Sequence, residues 1–316
     1  MTNNRISKLL KSMADNNVSQ GLISSPSSIF YLTNTWVHPG ERLIALLVSK
    51  EKAPIIIANK LFALPGEING IKVVTYDDID YPIELIYDYI NSNETFAIDD
   101  FWPSKFLIDL LKLDSTLTFT HIAKLLSNVQ MIKDQVEIEK LTKASNINDK
   151  VMSDIFAELS SGKNELELTD SLLSYYKNHN TTFSFDPILC FGRGTSEPHH
   201  ITDNTLPSKN CAVIADIGGF TDNYCSDMTR SFFIGEPDDE YIIIYKLVLE
   251  ANLAAIASVA PGVKLSDIDK AARSIIEKAG YGKYFTHRTG HGIGISVHEL
   301  PDVSSNSDIE VSAGMV

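Results

Sequence analysis

One stretch, CAVIADIGGFTDNYCSDMTRSFFIG at residues 211–235, constrains the fold more than any other part of the chain. Two strand-like runs, AVIADI and YCSDMTRSFFI, flank the turn-forming GGFTDN, which predicts an antiparallel hairpin. A turn at Thr221-Asp222 would place Asp216 directly opposite Asp227. A turn at Asp222-Asn223 would make the two aspartates diagonal neighbours. In both cases they share one face of an otherwise apolar hairpin.

Two carboxylates in such a place are unfavourable unless one is protonated or a cation lies between them. A pair of divalent cations about 3.5–4 Å apart would fit the gap and take both carboxylates as ligands. The alternative is that one aspartate faces solvent while the other caps a neighbouring element. The hairpin alone leaves both interpretations open.

Five of the histidines fall in two short stretches, which is typical of a binding or catalytic site. His199 and His200 end FGRGTSEPHH, and the other three lie in HRTGHGIGISVHE at positions 287, 291 and 298. The glycines of the second stretch would allow close backbone approach; they are Gly290, Gly292 and Gly294. A histidine cluster in a glycine-rich strand or loop therefore adds candidate ligands to the two aspartates.

Several other catalytic motifs are excluded by the residues that surround these histidines. The spacing of His287 and His291 matches the zinc-binding HExxH helix, but Arg288 stands where that motif needs glutamate. Gly292, next to the second histidine, also disfavours a helix. The chain contains no GxSxG elbow and no GxxxxGK[ST] phosphate loop.

Composition restricts the partners and the compartment. The 316 residues carry 27 basic and 41 acidic side chains, and the net charge of −14 disfavours nucleic acid and anionic membranes. No segment is expected to approach the roughly 20 apolar residues that span a bilayer, and no secretion signal is expected at the N-terminus. The cysteines form no CxxC pair, which predicts free thiols and a reducing cytoplasm; they are Cys190, Cys211 and Cys225.

Periodicity predicts two domains, residues 1–125 and 126–316. The first mixes short apolar strands with helices, which predicts an α/β domain with a covered sheet. In the second, Asp134 and Glu137 form a capping box that opens a long helix. A further helix should run through EYIIIYKLVLEANLAAIASV, and another from Ser266 to Gly280. The inner face of that last helix is expected to consist of Ile268, Ala272, Ile275 and Ala279.

Taken in order, these stretches resemble the creatinase/prolidase class of pita-bread metallopeptidases. ADIGGFTDNYCSDMTR is similar to the segment with the first two metal ligands, and FTHRTGHGIGISVHELP to the segment with a histidine ligand and two substrate histidines. CFGRGTSEPHH resembles an upstream histidine motif, and QMIKDQVEIEKLTKAS the interdomain helix. IFYLTNTW resembles part of the amino-terminal domain. The resemblance implies an α/β N-terminal domain followed by an α+β pita-bread catalytic domain that is incomplete at its C-terminus.

The resemblance also implies roles for individual residues. Asp216, Asp227 and His291 would be metal ligands for two divalent ions, Mn²⁺, Co²⁺ or Zn²⁺. His298 would stabilise the tetrahedral intermediate, and His287 and His199 would contact the proline and carboxylate of the substrate. The implied reaction is hydrolysis of Xaa-Pro bonds. Thr229 is a candidate for supporting a ligand, and a purely structural role is equally compatible with its position.

The chain departs from the family pattern at its end. The family has two further glutamate ligands, and the first of them follows within a few residues of a stretch whose start Ala313, Gly314, Met315 and Val316 resemble. One of these glutamates would be the general base. The 316-residue chain alone is therefore expected to hold metal weakly and to have little peptidase activity. It would be either a shortened form of an ordinary enzyme or a non-catalytic relative that binds peptides or partners.

The leading functional hypothesis is a cytoplasmic Xaa-Pro dipeptidase that acts on Xaa-Pro dipeptides or short proline-containing peptides. The first alternative is an Xaa-Pro aminopeptidase that acts on longer peptides, and the second is a non-catalytic binding protein. A methionine aminopeptidase would lack the N-terminal domain, and a metal-free amidinohydrolase would have no use for both aspartates. The family also implies a homodimer in which loop 33–42 reaches the partner's active site, with His38 and Arg42 as substrate contacts.

Overall fold

The computed structural model describes residues 2–316. The chain forms two compact units, residues 1–130 and residues 131–316, each with its own core. The sequence prediction placed the boundary five residues earlier, after residue 125. That position falls within a helix, Ala123–Gln130, which buries Leu125 and Leu126.

The first unit alternates helices and short strands along the chain. Its helices are α1 (Thr2–Asp15), α2 (Pro26–Thr33), α3 (Ile83–Tyr89), α4 (Ser104–Leu113) and α5 (Ala123–Gln130). Its strands are β1 (Gln20–Ile23), β2 (Ile44–Ser49), β3 (Ile55–Asn59), β4 (Glu67–Ile68), β5 (Ile71–Tyr76), β6 (Phe96–Ile98) and β7 (Phe119–His121). A 3-10 turn follows β3 at Lys60–Phe62.

These strands form one mixed, seven-stranded sheet in the order β4-β5-β3-β2-β1-β6-β7. The runs QGLI and IALLV are buried along their whole length, as expected for strands that are covered on both faces. The core includes Leu22, Leu47 and Phe96, all fully buried. The expectation of an α/β domain with a covered sheet is confirmed.

The second unit contains four long helices and several short sheets. The helices are α6 (Gln135–Glu158), α7 (Glu165–Asn178), α8 (Asp239–Ser258) and α9 (Leu265–Lys278). The strands are β8 (Thr182–Phe183), β9 (Ile188–Phe191), β10 (Cys211–Ile217), β11 (Gly219–Thr221), β12 (Tyr224–Cys225), β13 (Met228–Ile234), β14 (Gly290–Gly292) and β15 (Glu299–Val303). They pair as β13-β10-β9, β12-β11-β8 and β14-β15. Further 3-10 turns lie at Gly192–Ser196 and Gly282–Tyr284.

The hairpin of residues 211–234 is present, and its register decides between the two turns considered. Asp222 and Asn223 have positive φ values of 51° and 70°, and Thr221 pairs with Tyr224 across them. This is the geometry of a two-residue hairpin turn. The same register continues into β10 and β13, where Asp216 lies opposite Thr229. The turn is therefore Asp222-Asn223, and Asp227 precedes the direct partner of Asp216 by two residues.

A close backbone approach interrupts this hairpin between its two halves. A Cβ atom on Gly218 would overlap the Ser184 hydroxyl and the Ser226 carbonyl oxygen, so only glycine fits there. The Gly219 N–H donates to Ser226 Oγ at 3.0 Å, and Ser226 N–H returns a bond to the Gly219 carbonyl at 2.8 Å. Because the interruption falls just before Asp227, it leaves that side chain outside the regular ladder.

The predicted helices form, with one error in an inner face. Asp134 and Glu137 make the capping box of α6, as predicted. On α9 the buried residues include Ile268, Ala272 and Ile276, while Ala279 is exposed just beyond the helix end. The assignment of Ala279 to the inner face is wrong because the helix ends at Lys278, one residue earlier.

Helix α8 corrects the expectation that no segment is long and apolar enough to span a membrane. Its 20 residues reach a mean hydropathy of 1.5 over an 18-residue window, of which 11% is buried. By length and composition alone such a helix could cross a bilayer. Core helices of globular proteins pass the same test, so one helix of this kind is weak evidence for a membrane span.

Candidate active site

The first carboxylate of the candidate site is held by the central strand of a small sheet. Asp216 lies near the end of β10, between Ile188 of β9 and Thr229 of β13. The Thr229 hydroxyl donates to Asp216 Oδ1 at 2.8 Å. This bond occupies one carboxylate oxygen and fixes the side-chain orientation. The supporting role considered for Thr229 thus has a physical basis in a direct hydrogen bond.

The second carboxylate faces a histidine from a different part of the chain. His291 lies in β14, and its Nε2 atom is 3.5 Å from Asp227 Oδ2. The Nδ1 atom of the same ring is 3.0 Å from the Gly292 carbonyl oxygen. A proton on Nδ1 would satisfy that contact and leave the Nε2 lone pair directed towards Asp227. This is the tautomer in which a histidine can bind a metal ion through Nε2.

The electrostatics of the two aspartates fit a cation-binding site. Burial raises the pKa of Asp216, and the negative charge of Asp227 raises it further. The hydrogen bond from Thr229 acts in the opposite direction and lowers it. Burial also raises the pKa of Asp227, while His291 opposes it. Among the side chains that the structure describes, no lysine or arginine forms an ion pair with either carboxylate. Two hard oxygen ligands and one imidazole without a protein cation suit a divalent metal ion.

Two further predicted histidines lie in the same unit. The ring of His298 is 4.4 Å from that of His291, centroid to centroid, at an interplanar angle of 58°. Burial lowers the pKa of His298, and the nearby His291, Arg288 and His287 add to that effect. His298 therefore favours its neutral form, which can donate one hydrogen bond. His287 is exposed, and its Nδ1 atom lies 2.7 Å from the Arg288 carbonyl oxygen.

The remaining predicted residues lie elsewhere in the sequence and in different environments. His199 is exposed, and the described side chains include none that makes a hydrogen bond or ring contact with it. His38 is exposed in the first unit and stacks on Trp36 with ring centroids 5.8 Å apart. Arg42 forms a two-pronged ion pair with Asp78, at 2.9 and 2.8 Å. The roles assigned to these three residues stay predictions.

Comparisons with known proteins identify the family. Residues 139–316 match the metallopeptidase family M24, and residues 5–132 match the creatinase/prolidase N-terminal domain. The chain belongs to metallopeptidase family M24. Its architecture is therefore a creatinase-type N-terminal domain followed by a pita-bread M24 domain, and the resemblance to the creatinase/prolidase class is confirmed.

Individual proteins are similar over nearly the whole chain. An uncharacterized peptidase of Staphylococcus aureus is 33% identical, over 99% of this chain and 89% of its own length. Among solved structures, a prolidase from Thermococcus sibiricus is 32% identical with a TM-score of 0.91, covering 100% of this chain and 88% of the other. A dipeptidase from Pyrococcus horikoshii is 31% identical with a TM-score of 0.89, covering 98% and 88%.

Among the described residues, a different group of side chains in the M24 domain brings three possible ligand atoms close together, and it includes none of the predicted ligands. Glu165, His200 and Asp203 each offer a ligand atom within 4.8 Å of the others. Both Glu165 oxygens already accept hydrogen bonds, from the Phe191 N–H and from the His200 ring and Asp203 N–H. These bonds satisfy the carboxylate without a metal ion.

Sequence reasoning missed two buried ion pairs next to the site histidines. Lys133 Nζ lies 3.1 Å from Glu299 Oε2, with the two side chains 1% and 11% exposed, and Glu299 directly follows His298. Arg273 pairs with the buried Asp269 and donates to the His287 carbonyl oxygen. The only available signal was a charged residue beside a motif histidine, and sequence spacing cannot reveal a partner 166 residues away.

Proposed function

We propose that this M24 chain hydrolyses Xaa-Pro peptide bonds as an Xaa-Pro dipeptidase, using two divalent metal ions. The observation that carries the proposal is the 3.5 Å approach of His291 Nε2 to Asp227 Oδ2, with Asp216 close enough for both to influence its pKa. The prolidase and dipeptidase among the similar structures support the choice of substrate class.

Each side chain of the site would have a separate role in hydrolysis. Asp216, Asp227 and His291 would hold the metal ions, and Thr229 would keep Asp216 in position. The chemistry that bound divalent ions supply is polarisation of the scissile carbonyl and a lower pKa for water. His298, which favours its neutral form, would donate a hydrogen bond to the negative charge that develops on the carbonyl oxygen.

His287 and His199 would contact the proline ring and the terminal carboxylate of the substrate. Because both rings are exposed, they are accessible to a peptide. In a homodimer, His38 and Arg42 of one copy would contact the substrate of the other. Arg42 would then have to exchange Asp78 for the substrate carboxylate or contact both. The metals would be Mn²⁺, Co²⁺ or Zn²⁺.

The remaining proposals concern the setting of the enzyme. Three free, buried cysteines fit a reducing compartment, and we propose a cytoplasmic location. The net charge of −14 disfavours nucleic acid as a ligand, and we expect no membrane binding. The substrates would be Xaa-Pro dipeptides or short proline-containing peptides.

Substrate hydrolysis with added Mn²⁺ tests the proposed activity. Gly-Pro and Met-Pro are the substrates, Gly-Leu is the control without proline, and a longer peptide with proline second separates dipeptidase from aminopeptidase. The assay compares the 316-residue chain with the product of its native gene. We expect the product of the native gene to cleave the Xaa-Pro dipeptides and to lose this cleavage with a chelator. Tight binding of these peptides without cleavage in either protein would instead favour the non-catalytic alternative.

The ligand assignment has its own test. Asp227→Asn should weaken Mn²⁺ binding by more than the roughly 10–100-fold that loss of an outer-shell partner costs, because it removes a direct charged ligand. Isothermal titration calorimetry measures the affinity. Asp222→Asn is the matched control, since it removes one carboxylate from the exposed turn of the same hairpin. Equal affinities for the two variants would contradict the assignment.

A further inference from the structure

A buried carboxylate that the proposed mechanism does not use lies at the start of α7. Glu165 is 0% exposed, although it belongs to the first turn of the helix. Burial of an ionised carboxylate is costly unless its oxygens are fully hydrogen-bonded. Here both oxygens accept hydrogen bonds, three in all, which compensates for the burial of the charge.

The partners of Glu165 lie at the two ends of one loop. Oε1 accepts from the Phe191 N–H at 2.9 Å, where β9 ends. Oε2 accepts from the Asp203 N–H at 3.0 Å and lies 2.8 Å from His200 Nε2. We name residues 192–203 the histidine loop. A single buried side chain therefore fastens both ends of this loop to α7.

The backbone of α7 adds to this attachment. The N–H groups of Glu165 and Leu166 donate to the carbonyl oxygens of Thr205 and Asp203, at 3.2 and 3.1 Å. These are first-turn groups that have no partner within the helix. The segment at the end of the histidine loop therefore caps the N-terminus of α7 through backbone hydrogen bonds. The Glu165 side chain links this capped end of the helix to the last residue of β9.

The histidine loop starts close to the candidate metal ligands. Ile188 of β9 pairs with Asp216, and Phe191 lies three residues further along the strand, about 10 Å away. His199, the proposed substrate contact, directly precedes His200 in the loop. A group that fixes His200 thus also restricts where the His199 ring can lie.

We infer that Glu165 is a positioning residue that holds the histidine loop in place through Phe191, His200 and Asp203, and so presents His199 to the substrate. The inference rests on the proposed function for the role of His199. The attachment of the loop itself does not depend on that role. The hydrogen bonds of Glu165 run to the loop and not to the proposed metal ligands, so its effect should appear in substrate affinity rather than in turnover.

The charge state of His200 gives the attachment a pH dependence. The hydrogen bond to Glu165 raises the pKa of His200 against the effect of burial, and Glu197 and Asp203 add to the increase. These carboxylates are the charged groups that act on the ring, and Gly194, which the ring also approaches, carries no charge. Below its raised pKa, His200 is a cation paired with Glu165. Above it, the ion pair is lost and the loop should loosen.

Hydrogen exchange measured by mass spectrometry tests the attachment without any assay of activity. The variants are Glu165→Gln and His200→Gln, and Asp170→Asn is the control because Asp170 is exposed on the same helix, α7. We expect faster exchange across residues 191–203 in the first two variants and wild-type exchange in the control. Circular dichroism checks folding, and if Glu165→Gln does not fold, His200→Gln decides. Unchanged exchange in the folded variants would overturn the inference.

Steady-state kinetics on the active protein test the consequence for the substrate. Glu165→Gln should raise KM for Gly-Pro about tenfold, as expected for a lost charge-assisted hydrogen bond, with kcat within about twofold. Wild-type KM should also rise with pH through the raised pKa of His200, and His200→Gln should remove that rise. An equal fall in kcat, or the same pH profile for both proteins, would overturn the positioning role. A wild type that cleaves no Xaa-Pro substrate would refute the proposed function, while hydrogen exchange still decides the attachment.

Discussion

Asp216 illustrates how a candidate metal ligand can oppose the stability of its own fold. Its carboxylate is partly buried beside a second carboxylate, Asp227, and both have raised pKa values. The hydrogen bond from Thr229 compensates only one oxygen. Without a bound cation, the remaining repulsion should destabilise the folded second unit relative to the unfolded chain. The same repulsion is what makes the position attractive to a divalent ion.

Neutralising Asp216 should therefore stabilise the metal-free protein. We expect Asp216→Asn to increase the free energy of unfolding by about 1 kcal/mol, or roughly 2–4 °C in Tm, in the presence of a chelator. The asparagine Oδ1 atom can still accept the Thr229 hydrogen bond. Differential scanning calorimetry provides the measurement, and Mn²⁺ affinity should fall in the same variant.

The exposed turn of the same hairpin supplies the control for that experiment. Asp222→Asn makes the same change in net charge but removes only a surface ion pair with Lys143. Such pairs contribute about 0–1 kcal/mol, so this variant should be neutral or slightly less stable. A lower Tm for Asp216→Asn than for Asp222→Asn would show that no repulsion is relieved.

Glu158, at the end of α6, makes the second unit sensitive to acid. Lys163 donates to its carboxylate at 2.6 Å, Tyr175 donates to the other oxygen, and the two bonds lower the pKa of Glu158 to about 2. A carboxyl whose folded pKa is lowered contributes stability that is complete above its ordinary value, near 4.5, and disappears as pH falls towards 2. The side chain is 26% exposed, so its contribution at neutral pH should be about 1–2 kcal/mol.

Glu158→Gln should lose this contribution at neutral pH and differ less from wild type in acid. Urea unfolding at a series of pH values from 7 down to about 3 measures the difference in unfolding free energy. We expect the difference to be constant above pH 5 and to shrink below pH 4.5. Glu139→Gln, on the exposed face of the same helix, is the control. A difference that stays constant to pH 3 would contradict the assignment.

At the scale of elements, the glycines around β14 differ in what they require. The sequence pattern predicted that neighbouring atoms approach the backbone closely at each of the three glycines, Gly290, Gly292 and Gly294. For Gly292 and Gly294 it is confirmed, because an added Cβ would overlap the Leu300 carbonyl oxygen or the Glu299 carboxylate. For Gly290 it is wrong, since the nearest atoms belong to Val303 and lie 3.8 Å away. Glu299 cannot easily move aside, because Lys133 and the Ser296 N–H hold it.

The contrast between two of these glycines gives a matched pair of variants. Gly294→Ala should cost about 1–3 kcal/mol and displace Glu299, and with it the adjacent His298. Gly290→Ala, in the same GHGIG stretch, should change stability by no more than about 0.5 kcal/mol. Thermal unfolding and hydrogen exchange at residues 298–303 provide the readouts. Equal effects of the two substitutions would contradict the close approach at Gly294.

Patterns among neighbouring residues predicted the helices and strands well. They could not predict hydrogen bonds and ion pairs between residues far apart in the sequence. The capping box of α6 and the hairpin need only residues near one another in sequence, and both were found. The choice between two turns needed the φ values of Asp222 and Asn223, which neighbouring residues do not fix. Glu165 and Lys133 were missed because their partners lie far along the chain and follow no period of a helix or strand. Periodicity reports burial of apolar faces, not the pairing of single charges.

At the scale of the whole molecule, α8 leaves an apolar surface open to solvent. Its large side chains are roughly half exposed, with Leu249 at 47% and Ile256 at 62%. Tyr245, Val248 and Leu253 extend the same exposed set along the helix. Contiguous apolar surface of this kind favours association with another apolar surface. Because the helix also meets the length and hydropathy criteria for a membrane span, two kinds of association need to be separated.

We expect the α8 surface to drive self-association of the protein rather than insertion into lipid. The helix carries Asp239, Glu240, Lys246 and Glu250, and charged side chains at depth in a bilayer are costly. Sedimentation velocity at about 1–50 µM should give a mass above the monomer that Leu249→Lys/Ile256→Lys reduces. Ile79→Lys/Phe101→Lys is the control, because both residues are exposed in the first unit. Sedimentation with neutral phosphatidylcholine vesicles should leave the wild type in solution. Its recovery with the vesicles, abolished by the α8 variant, would instead assign this surface to lipid and refute the expectation of no membrane binding.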